Sequence, residues 1–280
     1  MKIFNIKELN DGRTALNLGC GGNYYNDWNN INLNSVDKDN VIQWDLRKGI
    51  PYKDNSFDVV YSSHFLEHVD FVIAKYLLKE IYRVLKPNSN FRLVVPNLER
   101  TINEYVDIIN KENIDKTKYK WILFELLDQF VRINDKGYMA NFVQTNKELS
   151  YENYFHERFG IKNVNRLKNK KKIKIKSKGL SLKFKITRLF MYVFWGGKLS
   201  QSFYENFKNY YLGELHRWFY DSYQLTYILQ DIGFIKIETV DAFKSKIFNW
   251  ETFNLDLSDF ANNKNEVYKP DSLYIEAKKK

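Results

Sequence analysis

The sequence predicts an α/β fold. It reads as a doubly wound, mostly parallel sheet with a long, largely helical insertion between the fifth strand and the C-terminal part of the core. Three observations predict it. Short apolar runs bounded by turn residues alternate with a helix-period segment in the first hundred residues. The same alternation returns after residue 216. Between them, 101–215 breaks the rhythm and holds the cationic excess of the chain. Strands that alternate with helices favour a parallel sheet with both faces covered.

The elements follow in order. Ala15-Leu16-Asn17-Leu18 is a short apolar strand that ends at Gly19-Cys20-Gly21-Gly22. Ile31-Asn32-Leu33 and Val41-Ile42-Gln43-Trp44 are brief second and third strands. Phe57-Asp58-Val59-Val60-Tyr61 is a fourth, entered from the turn-prone Lys53-Asp54-Asn55-Ser56. Ile73, Leu77, Ile81 and Val84 lie on one helical face. That helix stops by Lys86, because Pro87 disfavours helix before it and Asn88-Ser89-Asn90 is turn material. Phe91 to Val95 is the fifth strand. Ser222 to Ile232 is a helix closed by Gly233, and Phe234 to Thr239 and Leu273 to Ala277 are the last strands.

The insertion begins helix-like, with Tyr105, Ile108 and Ile109 and then Trp121 to Phe130. Further on, Lys172-Ile173-Lys174-Ile175-Lys176 alternates with period two, and so do Leu180, Leu182, Phe184 and Ile186. That pattern predicts a basic β-ribbon with one apolar face, followed by the apolar stretch Leu189 to Trp195. The net charge is +10, yet 1–100 and 216–280 are each balanced. The segment 161–188 holds 12 basic residues and no acidic one, which points to an anionic partner surface.

Composition excludes several classes. A single cysteine, Cys20, rules out an intrachain disulfide and a disulfide scaffold. The 44% hydrophobic content excludes a wholly disordered chain. No apolar run approaches the roughly 20 residues of a membrane span. Met1 to Lys7 lacks the apolar core of a signal peptide, so the expected location is cytoplasmic, with peripheral membrane contact as an addition.

A glycine-rich turn after a first strand lets backbone N–H groups approach a ligand at the carboxyl edge of the sheet. This loop is not a P-loop, since no Gly-Lys-Ser/Thr follows, and it does not complete G-x-G-x-x-G. Leu16-Asn17-Leu18-Gly19-Cys20-Gly21 resembles motif I of class I S-adenosylmethionine-dependent methyltransferases. Trp28-Asn29-Asn30-Ile31-Asn32 resembles the second-strand motif of a compact branch often associated with glycan and surface-polysaccharide assembly. Trp44-Asp45-Leu46, the run from Phe57 to His68, Leu78 to Pro87, and Leu93 to Glu99 follow in that family's order. Tyr220-Asp221 and Gly233-Phe234 resemble its C-terminal part. The resemblance implies a Rossmann-like sheet and a single methyltransferase domain over 1–280, with its core in 1–100 and 216–280 and an inserted basic cap over 101–215.

The resemblance also implies roles. Asn17, Gly19, Cys20 and Gly21 would cradle the methionine part of S-adenosylmethionine. Asn32 would take the ribose hydroxyls, where the family usually has a carboxylate, and Asp37 is a second candidate for that task. Asp45 would accept the adenine amino group, with Leu46, Ser62 and Ser63 lining the cofactor. Asn97 likewise stands where an Asp is usual. Methyl transfer to a hydroxyl needs a base beside the methyl position. His64 follows the fourth strand and has a reference pKa near neutrality, so it is the first candidate. His216 and Tyr220 lie where the chain re-enters the core, and are further candidates for the acceptor pocket. Tyr24 and Tyr25 are candidates to cover the cofactor. No metal is expected.

The expected acceptor is a small molecule or glycan, O-methylated, with a lipid-linked glycan included, and with peripheral contact to an anionic membrane through 161–195. A nucleic-acid methyltransferase is the first alternative, because lysine blocks also neutralise phosphates. A non-catalytic cofactor-fold binder is the second. The third is a zinc hydrolase, since His64-Phe65-Leu66-Glu67-His68 fits H-x-x-E-H and would place two imidazoles on one helical face.

Overall fold

The computed structural model describes residues 3–34, 37–132, 137–168, 178–258 and 266–280. The chain divides into two compact units, Met1–Arg100 with Arg217–Lys280, and Thr101–His216.

The first unit is built on a seven-stranded sheet in the order β3-β2-β1-β4-β5-β7-β6. Its strands are β1 (Ala15–Leu18), β2 (Asn29–Asn32), β3 (Val41–Gln43), β4 (Phe57–Ser63), β5 (Leu85–Pro96), β6 (Phe234–Val240) and β7 (Ser272–Lys279). Pairings from β3 through β5 are parallel, and β7 runs antiparallel to both β5 and β6. The sheet is therefore mostly parallel, as expected, and it carries an antiparallel edge.

Two helices cover one face. The first, α1 (Phe71–Val84), is capped by Asp70, whose carboxylate accepts from Val72 N at 3.0 Å. It buries Ala74, Leu77, Leu78, Ile81 and Val84, and ends as Pro87 requires. The helix over Ser222–Ile232, numbered α9 below, is capped by Asp221 and closed by Gly233 at φ 110°. The opposite face is covered by the segment 241–258. It holds one short 3-10 turn (Trp250–Phe253) and packs Ala242, Ile247, Trp250, Phe253 and Leu255 against Trp28, Tyr61 and Tyr274. One expectation needs correcting: Asn88-Ser89-Asn90 is not a free turn but part of β5. There the pairing to β4 jumps from Phe57↔Leu85 to Val59↔Asn90, and Asn88 takes φ 62°. The turn-prone residues make a bulge within the strand instead of ending it.

Arg92, at the centre of β5, is fully buried. Its guanidinium donates to Asp256 at 2.8 Å, to Glu276 at 2.7 Å, and to the carbonyls of Lys244 and Asp241. Tyr61 Oη donates to the same Asp256 at 2.6 Å.

The second unit is helical: the continuation of α2 (Leu98–Ile109), then α3 (Lys116–Val131), α4 (Gly137–Thr145), α5 (Leu149–Phe159), α6 (Ile161–Lys168), α7 (Lys178–Trp195) and α8 (Gly197–Leu212); α9 follows in the first unit. Its core gathers Ile108, Trp121, Ile122, Met139, Phe155 and Val164, with Trp121 stacked on Phe155 at 4.3 Å. Arg158 holds Glu125 through a forked pair at 2.7 and 3.0 Å. The expected β-ribbon is overturned where it can be seen, because Leu180 to Ile186 and Leu189 to Trp195 form the single helix α7. A run of seven alternating residues was too short a window; the period of 3.6 shows only over the whole eighteen-residue helix. Lys172 to Lys176 lie outside the described residues. Among the described residues, no helix is long and apolar enough to cross a membrane.

Arg92→Met should destabilise the protein by about 3–5 kcal/mol, because it leaves two buried carboxylates without their cation. Urea unfolding followed by circular dichroism checks this. A loss below about 1 kcal/mol would show that the carboxylates find protons or water at little cost.

Candidate functional site

β1 ends at Leu18, and its neighbour β4 pairs with it through Leu18↔Ser62. The glycine loop and the residues after Ser62 therefore leave the sheet side by side at its carboxyl edge. Gly19 has φ 67°, and a Cβ built on it would stand 2.3 Å from the Phe65 ring. Only glycine fits there. Gly21 has φ 54°, but its Cβ direction meets nothing within 4 Å. The loop backbone is thus open on that side. The N–H groups of Gly19 and Cys20 donate to Ile31 O, and Asn17 Nδ2 donates to Asn23 O at 3.2 Å. These bonds hold the loop against the end of β2. Cys20 is buried, which pushes its thiol up to about 12 and leaves it protonated and inert.

The polar groups beyond β2 and β3 are already engaged. Asn32 donates its amide to Asn34 O at 2.7 Å. Asp37 accepts from Tyr24 Oη at 2.7 Å and from Asn40, bonds that hold its carboxyl down at about 2. Tyr24 follows the glycine loop, so Asp37 brings a fixed negative charge to the same corner. Asp45 caps a 3-10 turn (Leu46–Lys48) and is gripped by Arg47 at 2.8 and 2.9 Å. Burial opposes its charge, but the Arg47 hydrogen bonds and charge prevail, and its carboxyl lies below the usual range. Leu46 sits in the core, Ser62 Oγ donates to Leu18 O at 3.2 Å, and Ser63 ends β4 half-buried. Asn97 accepts from Arg100 N at 3.0 Å, which caps α2, and Tyr25 packs edge-on to Phe253.

His64 stands directly after β4 at φ 49°, with its N–H donating to Val94 O. Its Nε2 lies 2.8 Å from Ser272 Oγ, and its Nδ1 lies 3.2 Å from Glu67 Oε1, an ion-pair distance. Burial, and then the Lys269 charge, keep the imidazole well below its ordinary pKa. It is neutral at neutral pH. A carboxylate only accepts, so the ring proton belongs on Nδ1 and the Nε2 lone pair takes the Ser272 hydroxyl. Glu67 is buried and its pKa is raised by that burial, offset in part by His68, whose Nε2 lies at 3.8 Å. The H-x-x-E-H pattern does not form the helix that a zinc hydrolase needs: His64 precedes a single 3-10 turn (Leu66–His68) in a left-handed conformation.

Tyr220 is fully buried, and its hydroxyl has no hydrogen-bond partner among the described residues. Burial and then the charges of Glu67 and Asp70 raise its pKa, so it can donate but is not a base. His216 belongs to the second unit, where its N–H donates to Gln129 O and its ring packs edge-on to Phe130. Sequence reasoning did not find Ser272, which lies 208 residues from its partner and carries no motif. It quoted Glu67 within the fourth-strand motif and gave it a role only in the zinc alternative.

Residues 23–93 match the family described as methyltransferase domain. An uncharacterised protein of Methanocaldococcus jannaschii, MJ0638, is 35% identical over 103 residues, which covers 33% of this chain and 44% of that protein. The chain thus spans less than half the length of this curated relative. A structure of a SAM dependent methyltransferase from Archaeoglobus fulgidus aligns over 95% of this chain and 86% of its own, at 15% identity and a TM-score of 0.37. The PH0226 protein from Pyrococcus horikoshii aligns over 34% of this chain and 55% of its own, at 20% identity and a TM-score of 0.27.

The matched segment is a methyltransferase domain over part of the chain, and the sequence motifs imply S-adenosylmethionine as its cofactor. The residues present fit it. The open side of Gly21 leaves space over the loop backbone, and Asp37 and Asp45 supply carboxylates held ionised.

Two outcomes follow from the geometry. Gly19→Ala should lower the melting temperature by several degrees, because its methyl strikes Phe65. Gly21→Val adds only left-handed strain to the empty protein, so it should fold but lose the melting-temperature rise given by S-adenosylmethionine. Equal melting temperatures for Gly19→Ala and the parent would refute the first. His64 gives a pH signature. The unfolded chain takes up a proton near its ordinary value of 6.5, and the folded chain refuses it. Its contribution to stability is therefore complete above that pH and is lost as pH falls below it, by up to about 1.4 kcal/mol per pH unit. His64→Gln should flatten this acid limb in melting curves recorded from pH 7 to 5.

Proposed function

We propose that the protein uses S-adenosylmethionine to O-methylate a sugar or glycan-type acceptor. One observation carries this reading: a neutral, half-buried histidine stands beside an open glycine loop at the carboxyl edge of the sheet, with a hydroxyl on its Nε2. A sugar hydroxyl is a poor nucleophile and must lose a proton as it attacks, whereas an amine that arrives neutral needs no such base. When bound, the cofactor supplies an electrophilic methyl group. The glycine loop from Gly19 to Gly21 would hold it, with Asn32 or Asp37 on its ribose and Asp45 on its adenine.

The chain's own groups move the proton. Ser272 accepts the proton leaving the acceptor hydroxyl and passes its own to His64 Nε2. Glu67 faces the imidazolium that results, and so offsets the cost of a buried cation. Tyr220 Oη, with no partner among the described residues, would donate to the acceptor and not deprotonate it.

Mass spectrometry of sugar acceptors incubated with methyl-labelled S-adenosylmethionine tests the reading. His64→Ala should lower turnover by roughly 10²–10⁴-fold and leave cofactor affinity unchanged. Full activity in His64→Ala would remove the histidine from the reaction. The absence of any calorimetric heat with millimolar cofactor would remove the reaction itself.

A further inference from the structure

The second unit carries a surface that methyl transfer does not use. Between Glu157 and Glu205 the chain has no acidic residue, and it places 14 lysines and arginines there. α7 lies within this interval and packs along α8 across a glycine turn at Gly196, where φ is 59°. Thr187 and Met191, one turn apart, form its half-buried side. On the other side stand Leu182, Ile186, Leu189, Phe190 and Val193, which are 55–70% exposed. Their spacing is i, i+4, i+7, i+8 and i+11, one continuous stripe of an α-helix. Lys185 and Arg188 flank the stripe and are exposed as well. Scattered exposed apolar residues are ordinary, but a contiguous stripe of five along one helix marks a contact surface.

We propose that α7 is a docking helix that lays this stripe into the headgroup region of an anionic lipid bilayer. Two features together choose this occupant. A nucleic acid would satisfy the cations but leave Leu182, Ile186 and Phe190 in water. A second copy of this chain would cover the stripe but bring Lys185 and Arg188 against their own counterparts, with no acid in α7 to answer them. An anionic bilayer answers both: apolar side chains enter the acyl boundary, and lysine and arginine reach back to the headgroup phosphates. The helix lies on the surface rather than crossing it, in keeping with its limited hydropathy. This proposal does not rest on the methyl-transfer reading, and each can fail without the other.

The test is sedimentation of the full chain with phosphatidylcholine vesicles, with and without phosphatidylglycerol, at low and high salt. Binding should occur only with phosphatidylglycerol, and should weaken at least roughly tenfold in high salt. Replacing Lys185 and Arg188 with Gln should cost about fivefold for each cation. Ile186→Glu with Phe190→Glu should abolish binding while the melting temperature and circular dichroism spectrum stay unchanged, since both side chains are exposed. Binding that is equal on neutral vesicles, or absent at low salt, overturns the proposal. So does light scattering that shows a dimer which this double variant dissolves, or retention on RNA without vesicle binding.

Discussion

The sheet of the first unit depends on one buried cation. Tyr61, Arg92 and Glu276 are direct cross-strand partners on β4, β5 and β7, and form a single row across the middle of the sheet. Arg92 stacks between the rings of Trp250 and Tyr274, at 4.9 and 5.3 Å, while its N–H groups reach two carboxylates and two carbonyls. A slip of one residue in β5 would turn Arg92 to the opposite face, among Leu93 and Phe91, with no partner. A buried ion pair adds little to stability against a well-packed apolar core, but an unpaired buried charge is so costly that it forbids other registers. The row therefore acts as a register lock.

The register lock positions the contact between His64 and Ser272. Counting outward from the row, Ser63 pairs with Val94, Val94 with Tyr274, and Pro96 with Ser272. His64 leaves β4 just after this count, and Ser272 begins β7 at the same edge. Their 2.8 Å contact is a consequence of the pairing at Arg92, four residues away along β5 from Pro96. The segment 241–258 contributes to the lock through Asp256 and also reaches the glycine loop, because Asn23 Nδ2 donates to Leu255 O at 2.6 Å. One covering segment thus ties the sheet's register and the loop after β1 to each other.

Sequence reasoning read local features well and missed those made by long-range contact. The α9 helix was legible to the residue because Asp221 and Gly233 are both caps with a mechanism. The short strands were legible because apolar runs ended in glycine or a short polar residue, at Gly19, Asn34, Asp45 and Ser62. The Arg92 row was not, since an arginine among Phe91, Leu93 and Val94 reads as an outward polar residue until Asp256 and Glu276 are brought to it. In the same way, His64 was visible as a candidate base but its partner Ser272 was not. The mistaken β-ribbon shows a different limit. Lysine, leucine and phenylalanine satisfy period two over seven residues, and only the continuation through Leu189, Phe190 and Val193 distinguishes a helix.

The two glycines of the loop illustrate how one motif can hold two constraints. Gly19 is required by the chain itself. His64 is turned into the left-handed region at φ 49°, a conformation that costs a residue with a Cβ about 1 kcal/mol or more. That turn aims the imidazole at Ser272 and Glu67, and it is followed at once by Phe65, whose ring fills the place where a Gly19 side chain would lie. The conformation that holds His64 is thus the same one that forbids a side chain at Gly19. Gly21 has no such neighbour, and its left-handed φ opens onto empty space. Nothing in the protein's own packing demands glycine there. Its left-handed φ still favours glycine, and in the methyl-transfer reading proposed above the open side is where the cofactor would approach the backbone.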